Sequence, residues 1–299
     1  MELRDVRTFV AVVDLASFTN AGRHLHIVQS AVSQAVSRLE KELGVQLLER
    51  RPGPVKPTAA GEAFWRHAQL SLNAIRRAEE EMAAFRGLSK GRIHLGLPPS
   101  VTPFLLLPLL RRLHQTHPGI QLHTHEGIVE QMLERLRLGE LDLTIVVLPV
   151  QASDLVLEPL LESRLGLVVG TDHPLWRVDE VDMTELREES WVTFPRSNPG
   201  RQWLERLSLA ASFLPRITAE VTSLGEMIAF VQAGYGICLM PPESFAEQCK
   251  AGSLHSLSLK PRAPHYAIGL VSDPHHPSGA FAVVHDTVVE IAKQMRTAR

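Results

Sequence analysis

Between Gln29 and Gly44 the chain reads QSAVSQAVSRLEKELG, and Val32, Ala35, Val36, Leu39 and Leu43 recur at helical spacing. One side of this helix is therefore apolar and must pack on something, and Gly44 ends it as a C-terminal glycine does. The other side carries Ser30, Ser33, Gln34, Ser37 and Lys41, flanked by Arg38. Hydroxyl, amide and guanidinium groups are those that bond phosphate oxygens and base edges in a DNA major groove. Taken alone, the helix fits a groove reader and an ordinary surface helix equally well. Upstream, Leu3, Val6, Phe9, Val10, Val13 and Leu15 predict a helix that ends near residues 16–17. A second helix follows, capped by Ser17 or Thr19, with Ala21, Leu25 and Ile27 on its inner side. Two short helices before a polar-faced one is the order of a helix-turn-helix.

Past Gly44, an apolar segment (Val45, Leu47, Leu48) leads to Arg50, Arg51, a turn over Pro52–Pro54, then Val55, Lys56 and Pro57. The pattern predicts a two-stranded wing whose cations lie beside a DNA backbone; a solvated turn between strands is the alternative. Thr58 then caps a long helix over 59–85. Gly61, Ala68, Ile75 and Met82 fall seven apart, with Phe64, Ser71, Ala78 and Phe85 three residues after each. Such a seam implies an antiparallel or parallel helix pair, with core packing within one chain as the alternative to self-association. No other long helix lies nearby in sequence, so self-association is expected, with Phe64, Ala68, Ile75, Ala78, Met82 and Phe85 as the dimerising positions.

At 87–91, GLSKG reads as a hinge, and the pattern changes beyond it. Strands are predicted over 93–97, 120–125, 143–148, 165–170, 191–194, 217–221, 237–240 and 266–272. Helices are predicted over 102–117, 129–138, 200–210, 224–234, 243–250 and 280–299. This alternation implies largely parallel α/β sheets in two lobes of similar size. The expected domains are 1–58, a linker helix over 59–86, the hinge, and a two-lobed body over 92–299. Lobe I takes 92–161 and 266–299, and lobe II takes 162–265.

A chain of 299 residues is long for one core, which agrees with that partition. The net charge of −2 conceals +3 over residues 1–90 and −5 over the rest, an excess that permits nucleic-acid binding by the first third without demanding it. Pro98, Pro99, Pro103 and Pro108 interrupt the most apolar region, so no bilayer span is expected, and MELRDVRTF does not resemble an export signal. A cytoplasmic protein is the expectation. Cys238 and Cys249 fit a reducing compartment, with Cys238 in an apolar strand and Cys249 beside Lys250. Neither nucleophile elbow, phosphate loop nor organised acid/base set is visible, so no catalytic residue is assigned and an enzyme is not expected.

The N-terminal 65 residues resemble the LysR-type transcriptional regulators. The match is carried by Leu3, Phe9, Ala16, Ser17, Phe18, Ala21, Leu25 and Gln29, continues through Ser30-Ala31-Val32-Ser33, and resumes at Leu39, Glu40, Leu43, Gly44, Leu47, Leu48 and Arg50 before Thr58, Gly61 and Phe64. It continues through GELDLTIV at 139–146, DHPL at 172–175 and GYGICLMP at 234–241. Ser30 replaces a usual proline and Leu48 a usual phenylalanine; the first loosens the helix start and the second keeps an apolar role. The resemblance implies a fold of α/β class with an N-terminal all-α winged helix-turn-helix, a dimerising linker helix, and a two-lobed effector domain like type 2 periplasmic binding proteins. It implies a dimer or a tetramer of paired dimers on partly palindromic promoter DNA, with a small-molecule co-inducer and no cofactor. RNA polymerase is a further candidate partner, and no membrane is involved.

On the DNA side the candidates are Gln29, Ser30, Ser33, Gln34 and Arg38, with Arg50 and Arg51 on phosphates. Open α/β sheets bind ligands beyond the carboxyl ends of their strands, which selects Ser100, Val101 and Thr102 after the first strand. There, free amides at a helix start would favour an anion, while plain capping by Thr102 with Pro103 behind it is the alternative. Family position adds Phe194, Arg196, Ser197 and Asn198 as the opposing wall. Ser223 with Glu226 reads as a capping box. The pairs His24/His26, His123/His125 and His275/His276 lack partners at metal-ligand spacing, so no metal site is assigned.

Overall fold

The computed structural model describes residues 1–49, 53–85, 91–260, 265–273 and 279–297, and for Ala83, Ala84, Phe85 and Thr297 the backbone alone. Arg50, Arg51, residues 87–90 of the expected hinge, His275 and His276 lie outside them. The chain divides into two compact units.

In the first unit, α1 (Leu3–Asp14), α2 (Phe18–His24) and α3 (Gln29–Leu43) precede the long α4 (Ala59–Phe85). The helical spacing of the apolar residues converges them on one core: Val6, Phe9, Val10 and Val12 of α1, Ala21 of α2, and Val32, Val36 and Leu39 of α3, closed by Leu47, Leu48 and Ala68. Two helix ends carry the expected caps. Ser17 Oγ accepts the Asn20 amide at 3.2 Å, and Gly44 takes the left-handed φ of 70° behind α3. Glu40 then bends back so that one oxygen accepts the amides of Leu47 at 2.8 Å and Leu48 at 3.1 Å, which ties the exit of α3 to the wing. The described part of the wing is a single antiparallel bridge, Leu48 to Pro57, with Glu49 donating to the Lys56 carbonyl at 2.9 Å. Thr58 Oγ1 accepts the Gly61 amide at 3.0 Å and so starts α4.

In the second unit, β1 (Arg92–Leu97), α5 (Thr102–Thr116), β2 (Gln121–Glu126), α6 (Val129–Arg137), β3 (Leu143–Leu148) and β4 (Val156–Arg164) come first. The chain then enters a second lobe with β5 (Gly166–Gly170), β6 (Glu180–Asp182), β7 (Ser190–Thr193), α7 (Pro199–Ala210), β8 (Arg216–Glu220), α8 (Leu224–Gln232), β9 (Cys238–Met240), α9 (Ala246–Lys250) and β10 (Leu254–Lys260). It returns through β11 (His265–Ser272) and ends in α10 (Gly279–Thr297). The first sheet has the order β2-β1-β3-β11-β4; the second lobe has a four-stranded sheet, β6-β10-β5-β9, and the pair β7-β8.

These sheets are mixed, which corrects the largely parallel arrangement expected above. β1 runs parallel to β2 and β3, but the returning β11 is antiparallel to both β3 and β4, and β5 is antiparallel to β10 and β9. A chain that crosses to a second lobe and comes back must enter the first sheet in reverse, so the crossing sets the direction of β11. Leu105, Leu109 and Leu113 of α5 form the inner stripe against Ile93, Leu95 and Leu97 of β1. Fully burying a side chain of this size contributes roughly 1.5–3 kcal/mol.

Gly61 makes the closest approach in the first unit: a Cβ there would run into the main-chain carbonyl of Leu47. Gly61→Ala is expected to destabilise the helical unit by roughly 1–3 kcal/mol, as overpacking does. Gly225→Ala, whose Cβ would meet only Ser223 Oγ at 4.0 Å, serves as the control. Equal denaturation midpoints for the two variants would remove the close-approach account of Gly61.

Candidate DNA-reading face and interlobe cleft

With Val32, Ala35, Val36 and Leu39 buried, α3 leaves Gln29, Ser30, Gln34, Ser37 and Lys41 exposed and Ser33 half-buried. Gln29 Nε2 donates to Ser33 Oγ at 3.4 Å, so the two sit one turn apart on the same face. The N-cap, Val28, has no side chain to accept an amide and is itself exposed. Ala31 and Val32 donate to the Val28 carbonyl at 3.0 and 3.3 Å, which leaves the amides of Gln29 and Ser30 available to an acceptor outside the chain, and the positive end of the helix favours a phosphate there.

Arg38 has a different first task. Its Nε and Nη2 donate to Asp5 at 3.1 and 2.7 Å, a bidentate pair that fixes α3 on α1, while 59% of its side chain remains exposed. Asp5 is buried on the inner side of α1 and was not legible as a partner, because its 33-residue separation from Arg38 leaves no local signal. The Asp5 bond also pushes the Arg38 pKa up.

Within the second unit, a cleft of about 440 Å³ opens between the lobes. Val129, Glu130 and Leu133 of α6 and residues 147–151 line one wall; Ser197, Pro199, Gln202, Trp203 and Arg206 line the other. Beside it lies a recess of only about 20 Å³, walled by Ser100, Gly127, Asn198, Gly200, Pro241 and Tyr266 among others. A recess of that size holds about one water molecule.

The expected ligand residues therefore separate. Ser197 lines the cleft, and Ser100 and Asn198 line the recess. Val101 is fully buried, Phe194 belongs to the second-lobe core, Thr102 Oγ1 donates to Glu126 at 2.9 Å, and the exposed Arg196 pairs with Glu205 at 3.3 Å. Ser100 Oγ meets the Tyr266 hydroxyl at 2.5 Å, and its carbonyl accepts from Ser244 Oγ at 2.6 Å. Burial pushes the Tyr266 phenol up, against the hydrogen bond from Ser100.

The free amides expected at the start of α5 are already used. Val101 and Thr102 donate to the Pro98 carbonyl at 2.9 and 3.3 Å, and Phe104 and Leu105 donate to the Val101 carbonyl at 3.3 and 3.1 Å. Pro103 has none, and the N-cap is Val101 in place of Thr102. At α7, Asn198 caps the Gly200 amide at 2.8 Å. Missed in the sequence were Gln202, Trp203 and Arg206, although with Pro199 they recur at helical spacing along one face of α7. The Ser223–Glu226 capping box is present, and the bonds from Thr222 and Ser223 lower the Glu226 pKa.

Strand pairing adds His94 to His123 and His125, with His94 Nδ1 3.3 Å from His125 Nε2. Among the described residues, however, no group of three or more His, Cys, Asp or Glu is arranged to hold a metal. Neither cysteine lines the cleft or the recess, and burial pushes up both thiols, Cys238 and Cys249. No helix among the described residues is long and apolar enough to cross a membrane.

A helix-turn-helix with an exposed polar third helix, carried with a two-lobed body around a cleft, defines a DNA-binding regulator with an effector domain. Residues 3–62 match the bacterial regulatory helix-turn-helix proteins of the LysR family, and residues 86–293 match the LysR substrate binding domain. The chain belongs to the LysR family of transcriptional regulators. It is 31% identical over 279 residues to the DNA-binding transcriptional dual regulator OxyR of Escherichia coli K12, covering 93% of this chain and 91% of that one. It is 30% identical over 292 residues to a hydrogen peroxide-inducible genes activator of Pectobacterium carotovorum, covering 97% and 96%. Full-length CbnR complexed with its target DNA superposes with a TM-score of 0.71 at 20% identity, over 97% of this chain and all of that one, and shows the shared fold.

If the exposed face of α3 reads bases, Gln34→Ala costs about 1–3 kcal/mol of operator affinity, roughly tenfold or more, as loss of a bidentate base contact does. Ser33→Arg is expected to impair operator binding too, both variants keeping their thermal stability, whereas Arg38→Ala lowers stability as well. Undiminished footprinting affinity in the first two variants would rule out this face.

Proposed function

We propose that this LysR regulator binds a partly palindromic promoter site as a symmetric oligomer and changes its grip when a small anionic metabolite occupies the interlobe cleft. The observation that carries it is α3: buried on its apolar side, exposed along Gln29, Ser30 and Gln34 with Ser33 half-buried beside them, and open at the Gln29 and Ser30 amides. Residues 1–58 read DNA, α4 pairs with its counterpart, and the body over 92–299 senses ligand. Closure of the lobes would turn neighbouring subunits and alter the separation of their reading heads, and with it the bend of the DNA. Two heads on successive major grooves require half-sites about 34 Å apart. The CbnR–DNA complex supports DNA as the partner by likeness of fold.

The heptad residues divide their work. Phe64 and Ala68 cover the helix-turn-helix core, Phe64 meeting Phe9 with ring centroids 5.5 Å apart. Ile75 is half-buried, while Ala78 and Met82 are exposed and remain for a partner helix. A peroxide-linked role, raised by the name of the Pectobacterium relative, finds no activated thiol, since a reactive cysteine needs a lowered pKa.

Footprinting of the intergenic DNA upstream of the gene should show protection that weakens steeply with salt, as phosphate contacts demand. No protection at low salt would overturn DNA reading. Ala78→Glu is expected to yield monomers in sedimentation and to shorten the footprint to one half-site; an intact dimer would exclude the α4 seam.

A further inference from the structure

Four features of the second unit bear on what the cleft selects. The recess beside Ser100 is too small for an organic ligand, so the body of an effector bound between the lobes falls in the 440 Å³ space. The amides at the starts of α5 and α7 are bonded within the chain, so an anion there must be held by side chains. Arg206 lines the lobe II wall with its guanidinium carbon 5.4 Å from the Trp203 ring centroid, and no carboxylate pairs with it among the described residues. This cation–π contact places the guanidinium beside the indole and leaves its N–H groups able to donate.

Across the cleft stands Glu130, exposed in the first turn of α6, with no ion pair to Arg206. An acid in a first turn also complements the helix dipole, but that leaves its acceptor oxygens unused. The Trp203 ring and the apolar segment Leu148, Pro149 and Val150 line the same cleft.

We infer that this cleft takes a dipolar carboxylate: a carboxylate on Arg206, a flat apolar body against Trp203, and an amine or hydroxyl donor towards Glu130. The inference rests on the cleft being the effector site. Closing the lobes removes water from both charges, and an unpartnered charge so buried is costly. A second carboxylate would face Glu130 and be repelled; a carboxylate without a donor would leave Glu130 against hydrocarbon.

The full-length chain titrated calorimetrically with para-aminobenzoate, benzoate and terephthalate tests this. Para-aminobenzoate should bind at least about tenfold tighter than terephthalate, about 1.4 kcal/mol. Arg206→Gln should weaken para-aminobenzoate by about tenfold or more, and Glu130→Gln should bring terephthalate to within about threefold of it. Both positions are exposed, and unchanged thermal midpoints would show that the variants fold. Equal affinities in the wild type, no binding of any of the three, or indifference to both substitutions would each overturn the inference. Promoter protection by the same preparations tests the regulatory reading separately: a protein that protects DNA yet ignores these substitutions keeps its function and loses only this ligand class.

Discussion

A main-chain amide removed from water has to find an acceptor, and where the amides of each helix start go decides which side chains are left for other molecules. At α5 the Pro98 and Val101 carbonyls take them, and at α7 the Asn198 side chain takes the Gly200 amide. Both helix starts therefore stabilise the fold, and neither offers an anion a ready seat. At α3 the Val28 carbonyl takes the Ala31 and Val32 amides, but its side chain can accept nothing, so the amides of the exposed Gln29 and Ser30 are left without an acceptor among the described residues. The same backbone chemistry thus closes two helix starts and leaves two amides free at a third, on a helix whose outer face is built of short polar groups.

The second constraint is that α4 serves two surfaces. A seven-residue seam alone suggests one partner along its whole length, yet Gly61, Phe64 and Ala68 are spent on the helix-turn-helix core. Trp65 Nε1 adds a 2.7 Å bond to Asp14 Oδ1, and Gln69 donates to the same carboxylate. Burial pushes the Asp14 pKa up, against the Trp65 bond, so α1 and α4 are joined by a polar clasp as well as by packing. Glycine at 61 is needed because the Leu47 carbonyl, in the segment leading from α3 into the wing, lies directly against the helix start.

Helical periodicity made the first unit almost wholly legible, since each of its helices has one buried stripe and a recognisable cap. The second unit was less so. β4 was not expected because Pro159 and the adjacent Leu160 and Leu161 break the alternation of a strand. The structure absorbs this with a register shift opposite Gly269, at the edge of the sheet, where a missing N–H is tolerated. β10 reads LHSLSLK, whose serines suggest a loop until pairing with β5 and β6 gives them a side. The cleft was hardest: Ser100 and Thr102 have ligand-like chemistry, but their bonds to Tyr266 and Glu126 depend on strands that the local sequence does not contain.

The polar face of α3 explains why pairing matters to this chain. It presents amides and hydroxyls with one exposed unpaired cation, Lys41, since Arg38 is bonded to Asp5. Hydrogen-bonding groups discriminate among base edges, whereas phosphate neutralisation supplies most of the affinity, so a single head of this composition discriminates better than it holds. Coupling two such heads makes the second contact intramolecular and multiplies affinity without new cations. The small net charge of the N-terminal third and the exposed Ala78 and Met82 of α4 are in keeping with the pairing proposed above.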